Sequence, residues 1–176
     1  MDGKETILIA DDADLNRAIL RNLFEDEYNL LEAENGEQAL ILLRQYRERI
    51  TVVLLDLVMP EKDGYEVLKE MHSPVIVITA DDSMGNRTRV FELGASDVIA
   101  KPFDPAEIKN RVKNIIELGR YRRQLETMVA EQSARTREAN AAVIDMLTSV
   151  IEYRSLESGQ HIRRIRMFTQ ILLEDV

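Results

Sequence analysis

Four short apolar runs within the first 101 residues each stop at a polar side chain, and this pattern constrains the fold more than any other feature. The runs and the residues that follow are Ile7–Ala10 before Asp11 and Asp12, Val52–Leu55 before Asp56, Val75–Ile78 before Thr79, and Val98–Ala100 before Lys101. Such a run is typical of a strand buried on both faces of a parallel sheet. Ligands of parallel sheets bind outside the carboxyl ends of the strands. We therefore expect three acids, a hydroxyl and an amine to meet at one edge.

Helical patterns alternate with the strands five times between residues 1 and 118. One further strand is predicted at Leu30–Ala33, and helices are predicted near Asp14–Glu25, from Gln38 to about Tyr46, over a segment with Val67, Leu68 and Met71, near Gly85–Leu93, and from Pro105. Right-handed crossovers place such helices on both faces of the sheet. The pattern predicts an α/β fold, a five-stranded doubly wound parallel sheet. The first helix is expected to bury one apolar face, which comprises Leu15, Ile19, Leu20, Leu23 and Phe24.

The fifth helix has no evident end before about Tyr153, because the chain has no proline between Ile108 and Tyr153 and Gly119 is the only glycine in that stretch. Spacings of three and four connect Leu118, Tyr121, Leu125, Met128, Gln132, Arg135, Ala139, Ala142 and Met146. This spacing is typical of a coiled-coil seam, here thinned by two polar and two alanine positions. One alternative is a long helix packed on its own domain. We favour a homodimer through the C-terminal helix, since a helix of this length needs a partner.

The chain is expected to divide into three parts. Residues 1–118 form the α/β domain, and residues 119–142 form a coiled-coil linker. From residue 143 the apolar pattern broadens, a break follows at Ser158 and Gly159, and residues 161–173 have the pattern of another amphipathic helix. Two helices with exposed apolar faces are too little for a domain of their own. We expect residues 143–176 to be the N-terminal fragment of a larger helical domain.

Charge and composition exclude several classes of protein. The net charge is −9, and residues 1–118 carry 24 acidic against 14 basic side chains. This excess argues against nucleic-acid binding by the first domain. No apolar segment approaches the roughly 20 residues of a membrane span, and the N-terminus lacks the features of a secretory signal. With no cysteine in the chain, we expect a cytoplasmic protein without disulfides or membrane contact.

The polar residues at the strand ends suggest metal and phosphate chemistry. Singly, each has a local explanation: an acid can cap the first helix or a turn, Thr79 can complete a strand, and Lys101 can be solvated. Together, three neighbouring carboxylates repel one another unless a cation intervenes. Mg²⁺ suits such oxygen ligands. A carboxylate beside it can attack phosphorus, with Lys101 and Thr79 contacting the phosphoryl oxygens.

The same segments resemble the receiver domain of two-component response regulators. The matching segments are Leu8-Ile9-Ala10-Asp11-Asp12, Leu54 to Pro60, Asp63-Gly64, Ile78-Thr79-Ala80 and Ala100-Lys101-Pro102-Phe103. The resemblance implies a flavodoxin-like fold over about residues 4–118, with Asp56 phosphorylated by a sensor histidine kinase. It implies that Asp11, Asp12, Asp56 and the backbone carbonyl of Val58 hold Mg²⁺, that Thr79 and Lys101 contact the phosphoryl group, and that the Lys101-Pro102 peptide is cis.

One position departs from the family pattern. Many receivers have an aromatic residue three positions before the lysine, which moves inward together with the threonine on activation. This chain has Val98 there. We therefore expect phosphorylation without a threonine-plus-aromatic switch, and a signal that passes through the fourth and fifth helices.

The tail resembles the start of HD and HD-GYP phosphohydrolase domains, in the segments Glu152-Tyr153-Arg154 and Glu157 to Ile165. The resemblance nominates Glu157 and His161 as metal ligands of that output domain. A surface position for His161 is the alternative. The only other histidine is His72, and the family's His-Asp pair and Gly-Tyr-Pro segment are absent. We therefore expect no hydrolase activity from this chain as it stands.

Three other functions compete with a response regulator that carries an incomplete output domain. One is an adaptor whose helical tail binds a partner protein without enzymatic output. Another is a phosphatase that turns over a phosphoaspartate, as in the haloacid dehalogenase type. Those enzymes need an acid two residues after the nucleophile, where this chain has Val58. A nucleic-acid-binding output is disfavoured because the tail has no second basic helix.

Overall fold

A computed structural model of the chain describes residues 4–154 and 159–174. Its five strands form one parallel sheet in the order β2-β1-β3-β4-β5. The strands are β1 (Thr6–Ala10), β2 (Asn29–Ala33), β3 (Ile50–Asp56), β4 (Val75–Thr79) and β5 (Asp97–Ala100). The helices are α1 (Asp14–Phe24), α2 (Gly36–Tyr46), α3 (Gly64–Lys69), α4 (Met84–Glu92), α5 (Pro105–Arg154) and α6 (Gly159–Glu174). The predicted doubly wound α/β fold and the long fifth helix are confirmed.

Two apolar cores lie on opposite faces of the sheet because successive strand residues point to opposite sides. One core joins α1 and α5 to the sheet through Leu20, Phe24, Ile108, Val112, Ile116 and the strand residues Ile7, Ile9, Val52, Leu54, Ile76, Ile78 and Ile99. The other joins α2, α3 and α4 through Ala39, Leu40, Val67, Leu68, Val90 and the alternate strand residues. Both faces are therefore covered, as the near-continuous apolar runs required.

Only part of the apolar face predicted for α1 is buried. Leu20 and Phe24 are buried, whereas Leu15 is 71% exposed and Ile19 is 39% exposed. The buried residues lie in the C-terminal half of the helix, where it packs on the sheet. Periodicity identified the helix, but it could not show how far along its length the sheet extends.

Two glycines allow the loops at the carboxyl edge to approach closely. A Cβ on Gly64 would lie 2.3 Å from the backbone oxygen of Asp56, and a Cβ on Gly36 would lie 2.2 Å from that of Lys62. The start of α3 therefore lies against the end of β3, and the start of α2 against the β3–α3 loop. The side chain of Lys62 also forms an ion pair with Glu37, at 3.2 Å.

The chain divides into two compact units, Met1–Tyr121 and Arg122–Val176. The second contains the distal part of α5 and the helix α6. Arg166 and Asp145 form an ion pair between these two helices, with an N–O distance of 3.0 Å. No helix in the described ranges is long and apolar enough to cross a membrane.

Candidate functional site

Three carboxylates meet at the carboxyl edge of the sheet. Asp11 and Asp12 follow β1, and Asp56 ends the neighbouring strand β3. One oxygen from each lies within 4.8 Å of the other two. Asp11 is 2% exposed and Asp56 is 5% exposed, whereas Asp12 is open to solvent. Strand order explains the grouping, because β1 and β3 are adjacent in the sheet although β2 separates them along the chain.

Lys101 joins two of these acids. Its Nζ lies 2.5 Å from Asp56 Oδ2 and 2.9 Å from Asp11 Oδ2. The lysine side chain is 20% exposed, so the alternative of a solvated charge before proline is wrong. A mostly buried ammonium between two buried carboxylates partly compensates their charge. The Lys101-Pro102 peptide is cis, as the resemblance implied.

The protonation equilibria of Asp56 and Lys101 reflect this arrangement. Burial raises the pKa of Asp56 above its ordinary value, although the hydrogen bonds from Lys101 and from the Val58 N–H oppose the change. Burial by itself would lower the pKa of Lys101, but hydrogen bonds and charges from Asp56 and Asp11 outweigh it and raise that pKa. The lysine is therefore held in its cationic form, the form that can pair with an anion.

Thr79 ends β4, on the other side of β3, and is 1% exposed. Strand register pairs Asp56 with Ile78, so Thr79 lies one residue beyond the partner of Asp56. Its Oγ1 accepts a hydrogen bond from the Asp81 N–H at 3.1 Å. Among the described residues, no hydrogen bond joins this hydroxyl to the carboxylates. The site thus has a hydroxyl on the strand next to that of Asp56.

Asp56 also has the local role that the alternative gave it. Its Oδ1 accepts a hydrogen bond from the Val58 N–H at 3.3 Å, which stabilises the turn after β3. The Val58 side chain is 73% exposed, so this turn lies at the surface. The Val58 carbonyl stays a predicted metal ligand.

The helix-capping alternative for the acids before α1 is wrong. Ala13 occupies the N-cap, and no side chain caps the helix there. Asp11 instead accepts hydrogen bonds from the Ala13 N–H at 2.9 Å and from Asn16 Nδ2 at 3.0 and 3.1 Å. Its carboxylate is therefore fixed in orientation by donors from the loop and the first turn of α1.

Asn16 and Arg17 were missed by the sequence analysis. Besides the Asn16 contact, the Arg17 guanidinium donates to the backbone oxygens of Asp11 at 2.7 Å and Asp12 at 3.1 Å. Both residues lie in the first turn and a half of α1, which starts at the same sheet edge as the acids. Polar residues in the first turn after a strand-end acid are the signal that would have identified them.

The donor set fits a hard divalent cation. Three carboxylates offer oxygen ligands at one point, and Mg²⁺ binds through one or two carboxylates, with waters completing its shell. The described residues of the site include no cysteine or histidine, the ligands that softer metals prefer. The predicted output-domain ligands cannot be placed: Glu157 lies outside the described residues, and so does the side chain of His161.

Comparison with known proteins agrees with this geometry. The family model of the response regulator receiver domain matches residues 7–113. The chain therefore belongs to the receiver domain family of response regulators in two-component systems. One chain in a crystal structure of the CheX–CheY–beryllofluoride–magnesium complex from Borrelia burgdorferi is 29% identical, with a TM-score of 0.60 over 63% of this chain and 88% of that one.

Longer similarities extend past the receiver. A probable cyclic di-GMP phosphodiesterase of Vibrio cholerae is 34% identical over 183 residues, which cover 96% of this chain and 41% of that protein. The transcriptional regulatory protein SrrA of Staphylococcus aureus is 34% identical over 164 residues, which cover 90% of this chain and 61% of SrrA. The chain thus spans less than two thirds of the length of either relative.

Proposed function

We propose that this chain accepts a phosphoryl group on Asp56 from a sensor histidine kinase. The observation that carries the proposal is the bridge from Lys101 to Asp56 and Asp11, at 2.5 and 2.9 Å. Within the part of the chain that the structure describes, the cluster of Asp11, Asp12 and Asp56 is the only group of three metal-ligating side chains this close together. Family membership and a relative crystallised with beryllofluoride and magnesium support it.

In the proposed reaction, an Asp56 carboxylate oxygen attacks the phosphorus of a phosphohistidine. An O–P bond forms, the N–P bond breaks, and its electron pair returns to the imidazole of the kinase. The Lys101 ammonium and the Thr79 hydroxyl donate hydrogen bonds to the phosphoryl oxygens. Bound Mg²⁺, with Asp11, Asp12, Asp56 and the Val58 carbonyl as ligands, would neutralise charge on the phosphoryl group.

The test is labelling with a small phosphodonor in the presence of Mg²⁺, followed by intact mass measurement. We expect wild type to gain one acid-stable, base-labile phosphate, and Asp56→Asn to gain none. The Asp12→Ala variant should need more Mg²⁺ for the same extent of labelling. Equal labelling of wild type and the Asp56→Asn variant would show that Asp56 is not the acceptor.

The proposed output is an HD or HD-GYP-type domain, of which this chain carries only the first helices. Similarity to a probable cyclic di-GMP phosphodiesterase over 96% of the chain supports this assignment. Glu157 and His161 would then contribute to the metal site of the output domain. The source gene, read past Val176, should encode the missing His-Asp pair. Its absence would favour the adaptor function instead.

We also propose that α5 dimerises two copies of the chain. Apolar side chains at the seam are exposed, and among them Leu118, Leu125 and Met128 are 70%, 61% and 57% exposed. A coiled coil would bury these side chains at the spacing they have.

A further inference from the structure

Asn86 is a buried polar residue that the proposed reaction does not use. Of the buried polar residues in the described ranges, Asp11, Asp56 and Thr79 belong to the candidate site, and the fourth is Asn86, 8% exposed. A carboxamide taken from water costs free energy unless its hydrogen bonds are replaced. The hydrogen-bond partners of Asn86 therefore indicate which parts of the fold its side chain holds together.

The Asn86 carboxamide links two helices and a loop. It belongs to α4, its Nδ2 donates to the backbone oxygen of Asp81 at 2.6 Å, and its Oδ1 accepts from the Tyr65 hydroxyl at 2.5 Å. Tyr65 belongs to α3. The amide nitrogen of Asn86 is thus paired with the β4–α4 loop, and its amide oxygen is paired with the neighbouring helix α3.

The same loop residue reaches Thr79. The Asp81 N–H donates to Thr79 Oγ1 at 3.1 Å, while the Asp81 carbonyl accepts from Asn86. Three hydrogen bonds, joined by the Asp81 backbone and the Asn86 carboxamide, therefore connect the Thr79 hydroxyl to Tyr65. If the hydroxyl shifts towards a phosphoryl group, the Asp81 backbone must follow it or lose its bond.

A second contact between α4 and Tyr65 fixes the far end of this series of hydrogen bonds. The Arg89 guanidinium carbon lies 4.2 Å from the centre of the Tyr65 ring, within the range of a cation–π interaction. Asn86 and Arg89 are three residues apart, on the same side of α4. This helix therefore holds Tyr65 at both its hydroxyl and its ring.

We propose that Asn86 and Tyr65 position Thr79 and couple its hydroxyl to α3 and α4, an inference that rests on the function proposed above. Neither residue contacts the reacting carboxylate in this scheme. Their effect is on where the hydroxyl lies and on whether the helices respond.

The test compares the full chain with Tyr65→Phe, which removes the hydroxyl but keeps the ring and its contact with Arg89. Beryllofluoride with Mg²⁺ serves as the probe: ¹⁹F NMR measures its binding, and hydrogen exchange measures residues 84–92. In wild type, we expect binding to change exchange in this segment by about fivefold, the equivalent of one hydrogen bond. The Tyr65→Phe protein should bind the probe and lose that change. Asn86→Ser, which replaces the carboxamide with a hydroxyl too short to reach both partners, should lose it as well.

Tyr28→Phe is the matched control, because Tyr28 is a half-buried tyrosine that packs edge-on against Phe24 on the other face of the sheet. It should respond as wild type does. A full response in Tyr65→Phe, or loss of the response in Tyr28→Phe, would overturn the inference. If wild type itself fails to bind beryllofluoride at Asp56, the proposed function fails, and this inference fails with it.

Discussion

Lys101 contacts two of the carboxylates that are proposed to hold a divalent cation. Its ammonium contacts Oδ2 of both Asp11 and Asp56, so these oxygens already have a positive partner. Removing one member of a buried ion pair leaves the other uncompensated, and this loss is larger than the net contribution of the pair. The lysine therefore has a structural role in addition to its proposed contact with phosphate.

Lys101→Met should lower the free energy of unfolding in EDTA by about 2 kcal/mol, a value below the roughly 3–5 kcal/mol of a fully buried pair because this one is partly solvated. Adding Mg²⁺ should restore more stability to the variant than it adds to wild type, since no ammonium competes for the oxygens. Urea unfolding with and without Mg²⁺ measures both effects.

Lys109→Met is the control for this change, because the ion pair of Lys109 with Glu27 is exposed. It should alter neither the stability in EDTA nor the response to Mg²⁺ appreciably. If Lys101→Met is as stable as wild type without metal, the bridging lysine does not compensate the acids.

At the residue scale, the sequence identified the strand-end residues but not those that orient them. Asp11, Asp56, Thr79 and Lys101 could be predicted because an apolar run that stops at a polar residue marks a strand end. The contacts of Asn16 and Asn86 depend on how α1 and α4 are rotated about their axes, which the side-chain pattern does not fix. Their partners became visible only in the folded structure.

At the scale of elements, the start of α3 is the tightest contact of the site. Gly64 allows this helix to approach the end of β3, and its N–H donates to the Leu57 backbone oxygen at 2.9 Å. A methyl group there would meet backbone rather than a flexible side chain, at 2.3 Å from the Asp56 oxygen and 2.6 Å from the Leu57 Cα. Relief of that clash would require β3 and α3 to separate.

Gly64→Ala should therefore destabilise the protein by about 1–3 kcal/mol, the range for an overpacked core. It should also lower phosphoryl acceptance, since the displaced backbone belongs to Asp56. Urea denaturation and the mass assay described above measure the two effects.

Gly85→Ala is the matched control within the same domain, because nothing lies within 4 Å of the Cβ position of Gly85 in α4. Alanine should stabilise this helix by about 0.5–1 kcal/mol relative to glycine. If the two substitutions have the same effect on stability, close approach at Gly64 is not what distinguishes it.

Helices and strands were predicted well because their apolar residues recur with different periods. The residues at which these elements begin and end were not predicted well. Helix α2 begins at Gly36 rather than at the predicted Gln38. Asn35 is its N-cap, and the Asn35 side chain accepts a hydrogen bond from the Gln38 N–H. The structure ends α3 at Lys69, so Met71, an apolar residue at helical spacing, lies beyond it. End positions depend on capping contacts and on tertiary packing, which periodicity does not record.

At the scale of the whole molecule, α5 is a single helix of 50 residues. Its continuity could be predicted from the absence of proline. Its partner could not, since the seam includes the exposed polar residues Gln132 and Arg135, which specify no oligomeric state by themselves. Only a measurement of mass in solution can test the proposed dimer.

Leu125→Glu should weaken that dimer. Each dimer would lose two leucines, one from each copy, and with them roughly 3 kcal/mol of apolar burial. The dissociation constant should therefore rise by about 100-fold. Light scattering across a dilution series measures this change. Ala130→Glu introduces the same charge on the opposite side of α5 and should leave the mass unchanged. A monomeric wild type, or equal effects of the two substitutions, would contradict the coiled-coil seam.

The contact between Gly36 and Lys62 has a practical consequence for protein engineering. Because the Lys62 backbone oxygen occupies the space of a side chain at position 36, the loops before α2 and α3 are sterically interdependent. Grafting the segment around Lys62 onto another receiver scaffold should succeed only where the recipient has glycine at the equivalent of position 36. Chimeras and libraries should therefore exchange the two loops together.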